Sequence, residues 1–538
     1  MPASVINPPT NHSLDPYTGT WTKQQAAHLL RRTLFGPTFQ QLQDAVTNGL
    51  DATVTTLLTP KVMDLPLTYD PDEGIAPFGQ PWNNSVYPGD TAGIQATNTA
   101  RLKSLAAWAM KNLNNQDTSI TEKMSLFWHN HFACPIAADQ RSTLDYHLLV
   151  HQYALGNFKD FIKEITINPS MLEFQNGATN NVYSPNENYA REFLELFSIG
   201  KGLQTGPGDY SNYTEQDVAA GAKIFTGYTI KGIQSSTESS VTSYFMPILH
   251  DGTVKQLSYR LNNETVSPNG ANEYSDYIDI VFQQDEVARF ISRKLYRYFV
   301  NYELTDQVEQ NIIPAMATIM INNNYEILPV MEALLKSQHF YDVNLIGSCI
   351  KSPMEMIFSM INSTNSVINF DLETTYEMYL YLYGVGDNLG QSYGHPPSVS
   401  GWTAYYQAPS FTKLWVNSTH IKTRMQISYF FTMMNGIEVN GNSFKVNALG
   451  LLDSLSNPSD VNTVVDDIIS LLVPKPLNLT QKFTLKYILT GGQADSVWAY
   501  QYNAYNASPS DPSLSLPIKQ KMEQFILRIA TYPEFQTF

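Results

Sequence analysis

Ile120-Thr121-Glu122-Lys123-Met124-Ser125-Leu126-Phe127-Trp128-His129-Asn130-His131-Phe132 ends in two imidazoles one residue apart on an apolar element. Burying polar rings there costs stability unless something uses them, and metal binding is the obvious use. The backbone decides whether that use is open. On a helix each residue turns by about 100°, so positions i and i+2 diverge by about 200°, whereas in an extended strand they share a face. The Thr118-Glu122-Leu126 spacing, with Met124, Phe127 and Trp128, predicts a helix entering the motif. Cys134-Pro135 predicts its end, because the residue before proline is pushed out of helical conformation. Either the helix unwinds near Asn130 or only one histidine faces a site; the alternative is a pair of imidazoles hydrogen-bonded in the core.

The second polar cluster is Pro185-Asn186-Glu187-Asn188-Tyr189-Ala190-Arg191-Glu192-Phe193-Leu194-Glu195-Leu196-Phe197-Ser198-Ile199-Gly200, which reads as one helix with a proline entry and a glycine stop. Asn188, Glu192 and Glu195 form a stripe at i, i+4 and i+7, and Glu187, Arg191 and Glu195 stack at i+4 steps. One reading is an ion-paired face. The other is that Glu192, supported by Glu187 or Glu195, supplies carboxylate oxygen to a metal or works as an acid/base, with Arg191 holding the carboxylates or an anionic substrate.

His250-Asp251-Gly252 lies in a stretch, Phe225 to Leu261, rich in Thr, Ser, Tyr and Val and punctuated by glycine. Short strands and turns are expected there. His-Asp-Gly is by itself a tight turn, yet with the two earlier clusters it can complete an oxygen- and nitrogen-rich site. His147 and His151 have the i, i+4 spacing that places two imidazoles on one helical face. Leu148 stands where a zinc protease carries glutamate, so surface or capping roles are expected for them. Cys134 is expected to be buried, with approach to the His131 site as the alternative. Tyr376 to Tyr383 reads as a helix leading to an irregular loop with Trp402 and Tyr405, whose rings are either a carbohydrate platform or core.

The ordered segments His28 to Thr38, Lys123 to Ala133, Asn186 to Gly200, Tyr213 to Val218, Phe225 to Thr229, His250-Asp251, Ala288 to Leu295, Lys351-Ser352-Pro353-Met354-Glu355 and Pro396 to Trp402 together resemble the bacterial family called domain of unknown function 1800. The resemblance implies a mostly helical, exported protein, often found beside a sulfatase-like or phosphatase-like companion protein, and supplies no established reaction. The chain departs from the family after His-Asp, where Lys255 runs into Gln256-Leu257-Ser258 instead of glycine.

Composition bounds the rest. The 538 residues exceed one ordinary compact core, so a large multi-layer domain or a main domain with an appended lobe is expected. With 43% hydrophobic residues and a mean hydropathy of -0.24, the core needs no staples. The formal net charge of -16 repels phosphate backbones and anionic lipid, which disfavours nucleic acid as a partner. No run of about 18 apolar residues suggests a membrane span. Residues 1–20 lack a basic and apolar leader, so under the resemblance the sequence is expected to begin after a removed signal, with the protein periplasmic or extracellular.

The fold expected is mainly α: a multi-helix globular bundle with a small β-rich insertion around 225–262. It is divided into an exposed segment 1–20, a helical domain 21–435 and a C-terminal helical portion 436–538 packed on it. The function expected is a metal-dependent hydrolase or oxidoreductase acting on a polymer or its fragments. His129, His131 and His250 would bind a divalent ion, zinc or a redox first-row metal, with Glu192 and Asp251 as oxygen ligands or acid/base groups and Trp402 and Tyr405 touching substrate. The rival is a non-enzymatic carbohydrate-binding or assembly protein in which the same polar groups form a buried network.

Overall fold

Short polar caps set where helices begin in this chain. Thr22 accepts from the Gln24 amide at the head of Lys23–Thr33, and Thr38 and Gln41 close a reciprocal capping box on Phe39–Leu57. Ser352 and Glu355 do the same for Pro353–Ser363. Each cap satisfies amides that would otherwise lack an intrahelical partner. The helix Phe39–Leu57 continues past Gly49, whose φ of +81° bends it instead of ending it.

The computed structural model describes residues 7–538, so the first six residues of the expected exposed segment lie outside the described residues. Among the described residues the fold is mainly α, and its sheets are four two-stranded antiparallel ladders. One of these, Tyr228–Lys231 with Thr242–Phe245, lies in the expected β-rich stretch, and a second, Lys255–Gln256 with Thr265–Val266, starts in it and closes just past its end. The others cover 204–210 and 437–444. No helix among the described residues is long and apolar enough to cross a membrane.

Two helical stretches contain wider turns. The segment 185–200 is an α-helix only over Glu187–Glu192 and continues as a π-helix over Phe193–Ser198, where the Ile199 and Gly200 amides both reach the Leu194 carbonyl. A second π segment, Val308–Ile312, precedes Ile313–Asn322. There Pro314 offers no amide and its ring crowds the carbonyl four residues back.

Thr121–Phe132 runs through the centre of the molecule: every residue in it except Asn130 is buried. Trp128 stacks on Phe158 at 5.2 Å and donates its indole N–H to the Ala154 carbonyl at 3.1 Å. Truncating such a side chain to alanine costs about 3–5 kcal/mol. The continuous apolar core takes in Phe127 and Leu295 as well as Leu452, Ile468 and Phe525 from beyond residue 435. Residues 10–17 lie against 336–342, with the Thr10 and Asn11 amides on the Asp342 carboxylate at 2.6 and 2.7 Å. In the long loop 62–90, Tyr69, Trp82 and Tyr87 pack inward while Phe78 is exposed. That loop is pinned by a buried Arg101–Glu73 ion pair of 2.6 Å.

Candidate functional site

The helix Thr121–Phe132 does not unwind at Asn130; it ends at Ala133, which takes a left-handed φ of +48°. Its turn therefore sends the two histidines to different places. Glu122, Ser125 and His129 lie along one stripe, at i, i+3 and i+7, and face Gln140–Gln152. His129 Nε2 accepts from the Gly394 amide at 3.2 Å, which leaves Nδ1 to donate to the Tyr146 hydroxyl at 3.2 Å. The ring of His147 stands 4.9 Å from that of His129, and Ser125 pairs with His151 Nδ1 at 2.9 Å. Glu122 lies 4.0 Å from the far nitrogen of His151.

The expected surface or capping role of His147 and His151 is thus corrected: both are buried beside His129. The i, i+4 spacing shows that two rings share a face but not which face is covered. Burial, with the neighbouring imidazoles, holds His129 well below its ordinary pKa. Burial takes His147 and His151 down to about 3. Burial pushes Glu122 up to about 8, against the pull of Lys61. Near neutral pH the whole group is uncharged.

His131 faces the other way. Its Nε2 donates to the Phe197 carbonyl at 3.0 Å, and Lys294 Nζ donates to its Nδ1 at 3.0 Å and to the Leu196 carbonyl at 2.8 Å. His131 and Lys294 therefore cap the carbonyls left free where the π-helix ends. Burial and the Lys294 ammonium hold the His131 pKa well below its ordinary value.

His250 belongs to a third neighbourhood. Its Nδ1 donates to the Thr226 carbonyl at 2.9 Å and its Nε2 lies 2.9 Å from Glu273, which also holds Lys255 at 2.5 Å. Asp251 forms a turn: its carboxylate accepts from the Thr253 amide and hydroxyl, and its own carbonyl accepts from Lys255. On the Glu187–Glu192 helix, Arg191 grips Glu215 with two bonds of 2.7 Å and Glu187 at 3.0 Å. Glu195 accepts from Tyr213 and pairs with Lys201 at 3.3 Å. Glu192 is half-buried, and burial with Glu195 beside it raises its pKa.

The residues expected to share one ion are therefore not brought together. His129 and His131 each commit both ring nitrogens to separate partners, His250 commits Nδ1 to Thr226 and keeps Nε2 beside Glu273, and among the described residues no group of three or more His, Cys, Asp and Glu side chains is arranged to hold a metal. That donor set does not fit a common ion. Trp402, expected to touch substrate, is buried edge-on against His129 at 5.7 Å, and its amide donates to Asn130 Oδ1 at 2.8 Å. Gly401 permits this seat, since a Cβ there would meet the Asn130 carbonyl oxygen at 2.4 Å. Tyr405 packs on Tyr298 and Trp415, and Cys134 is buried with a free thiol.

A centre absent from the sequence reading lies around Glu355. Lys123, on the same helix as Glu122 but turned away from it, is ion-paired to Glu355. The caps and close contacts of Arg31, Arg32, Lys351 and Arg424 gather in the same region. Three of the segments quoted for the resemblance, around residues 31, 123 and 351, meet here. The available signal was the set of basic residues in otherwise apolar runs, in a chain with few lysines and arginines.

A mainly α protein that collects polar side chains from remote segments into buried centres is the class this fold defines. A family model described as protein of unknown function (DUF1800) matches residues 28–537, so the chain belongs to that family. No curated protein and no solved structure matches it.

Proposed function

We propose that this chain is an exported binding or assembly protein whose buried His and Glu groups lock its helices in register. The observation that carries this reading is the separation of His129, His131 and His250 into three hydrogen-bonded neighbourhoods. Its partner is a protein surface, with the sulfatase-like or phosphatase-like companion that the resemblance implies as the first to try. A sugar platform on the Trp402 loop has little support, since among Trp402, Tyr405 and Tyr406 only Tyr406 is exposed. Export is supported by a sequence rich in Tyr, Asn, Ser and Thr and poor in lysine.

One observation favours the metal-dependent hydrolase or oxidoreductase instead: beside His129, the atoms His147 Nδ1 and Glu122 Oε1 are buried without partners. Chelator titration followed by thermal melting, with elemental analysis of protein purified without nickel, separates the two. The binding reading expects no stoichiometric metal and an unmoved Tm. Stoichiometric zinc or another first-row metal, lost in His129→Ala, overturns it.

A further inference from the structure

Arg31, Arg32, Lys123, Lys351 and Arg424 come from four segments and are each at most 6% exposed, yet Glu355 is the one carboxylate ion-paired among them in the described residues. Their hydrogen bonds go mostly to uncharged oxygens. Arg31 donates to the Ser470 and Leu471 carbonyls, Arg32 to the Leu345 carbonyl and Ser348, and Arg424 to the Lys351 carbonyl and Gln536. Arg31 Nε, Arg32 Nε and Nη1, and Arg424 Nε are buried with no partner. Such an excess of like charge is costly, because like charges repel more strongly away from water than in it. The chain as a whole is strongly acidic, so the local excess of cations is not a consequence of composition.

Two of these groups, Arg31 and Lys351, line a narrow cleft of about 10 Å³, room for one water-sized particle, together with Glu355, Ser359, Leu472 and Phe538. Gly36 brings backbone close, its φ being +92° and a Cβ there meeting Ser359 Cα at 2.4 Å. Lys351 Nζ has one oxygen partner, Ser359 Oγ at 3.2 Å, and stands 4.1 Å over the Phe535 ring, so its donors are short of oxygen acceptors.

We propose that this cleft binds a single monatomic anion of chloride size, held by Arg31 and Lys351 and balanced by the field of Arg32, Lys123 and Arg424. A compact anion fits the narrowness, supplies acceptors for the leftover donors and removes most of the repulsion. Without one, burial and then Arg31 take Lys351 down to about 7, and burial and then Arg32 take Arg31 to about 9, still protonated at neutral pH. A bound anion lifts both.

The test holds ionic strength constant and exchanges gluconate for chloride or bromide while Tm is read. A saturating rise with at least one of the two is expected, weakened by about tenfold or more in apparent affinity in Lys351→Met. Equal, non-saturating responses of the two proteins overturn the site. Should the variant fail to fold, crystals of the unaltered protein grown with bromide decide the matter. An anomalous peak within hydrogen-bonding reach of Arg31 and Lys351 supports the site, and its absence overturns it.

Discussion

Glu122 and Lys123 are neighbours on one helix, and they enter two interiors that handle charge in opposite ways. On the Glu122 side, burial removes charge: three imidazoles and a carboxyl sit together as neutral hydrogen-bonding groups. On the Lys123 side charge persists, with several cations sharing one carboxylate. The difference lies in the side chains available. Imidazole and carboxyl can reach neutrality near pH 7 at modest cost, whereas guanidinium cannot, so the second interior must find counter-charge.

The contrast breaks most visibly at Glu355. Glu355→Ala leaves Lys123 without a partner and uncaps Pro353–Ser363, and should cost about 3–5 kcal/mol in urea unfolding. A loss under about 1 kcal/mol means the cluster is already neutralised elsewhere. On the other side, Glu122 has a folded pKa of about 8 against an ordinary 4.5. Its proton is retained in the fold and released from the unfolded chain between those values, so stability falls as pH rises across the window. The fall should be about 3 kcal/mol from about pH 5 to about pH 7.5, and Glu122→Gln should flatten it.

Lys351 has the opposite sign. Its folded pKa of about 7 lies below the ordinary 10.5, so the unfolded chain binds the extra proton in between and stability rises with pH. In anion-poor buffer the gain from about pH 7.5 to about pH 9 should be about 2 kcal/mol, and Lys351→Met should lack it. His131→Phe strips the Phe197 carbonyl of its donor and should cost about 1–2 kcal/mol, read as a lowered urea midpoint. The exposed ladder sharpens the comparison from below: Glu187→Ala should change stability by about 0.5 kcal/mol or less, because its partner Arg191 keeps Glu215 and solvent screens the pair.

The helices are legible in the sequence because periodicity and caps are local signals. Phe158–Thr166 and Glu215–Ile224 follow Asn157 and Thr214, whose side chains accept from first-turn amides, and repeat apolar residues at helical spacing. The β-rich stretch after residue 225 is legible for the same reason. What escapes is convergence. Nothing near His147 announces that its face meets His129, and nothing near Arg31 announces residues 123, 351 and 424. The π-turn at Phe193–Ser198 is likewise invisible, since its carbonyls are claimed by His131 and Lys294 from elsewhere in the chain.

The central helix also limits length more severely than composition. Dropping one residue between Lys123 and His129 would swivel everything downstream by about 100°. His129 would leave Tyr146, His131 would leave Phe197, and Asn130 would no longer reach the loop that seats Trp402. Conservative exchanges along this spindle disturb one neighbourhood at a time; a frame slip of a single position uncouples them all.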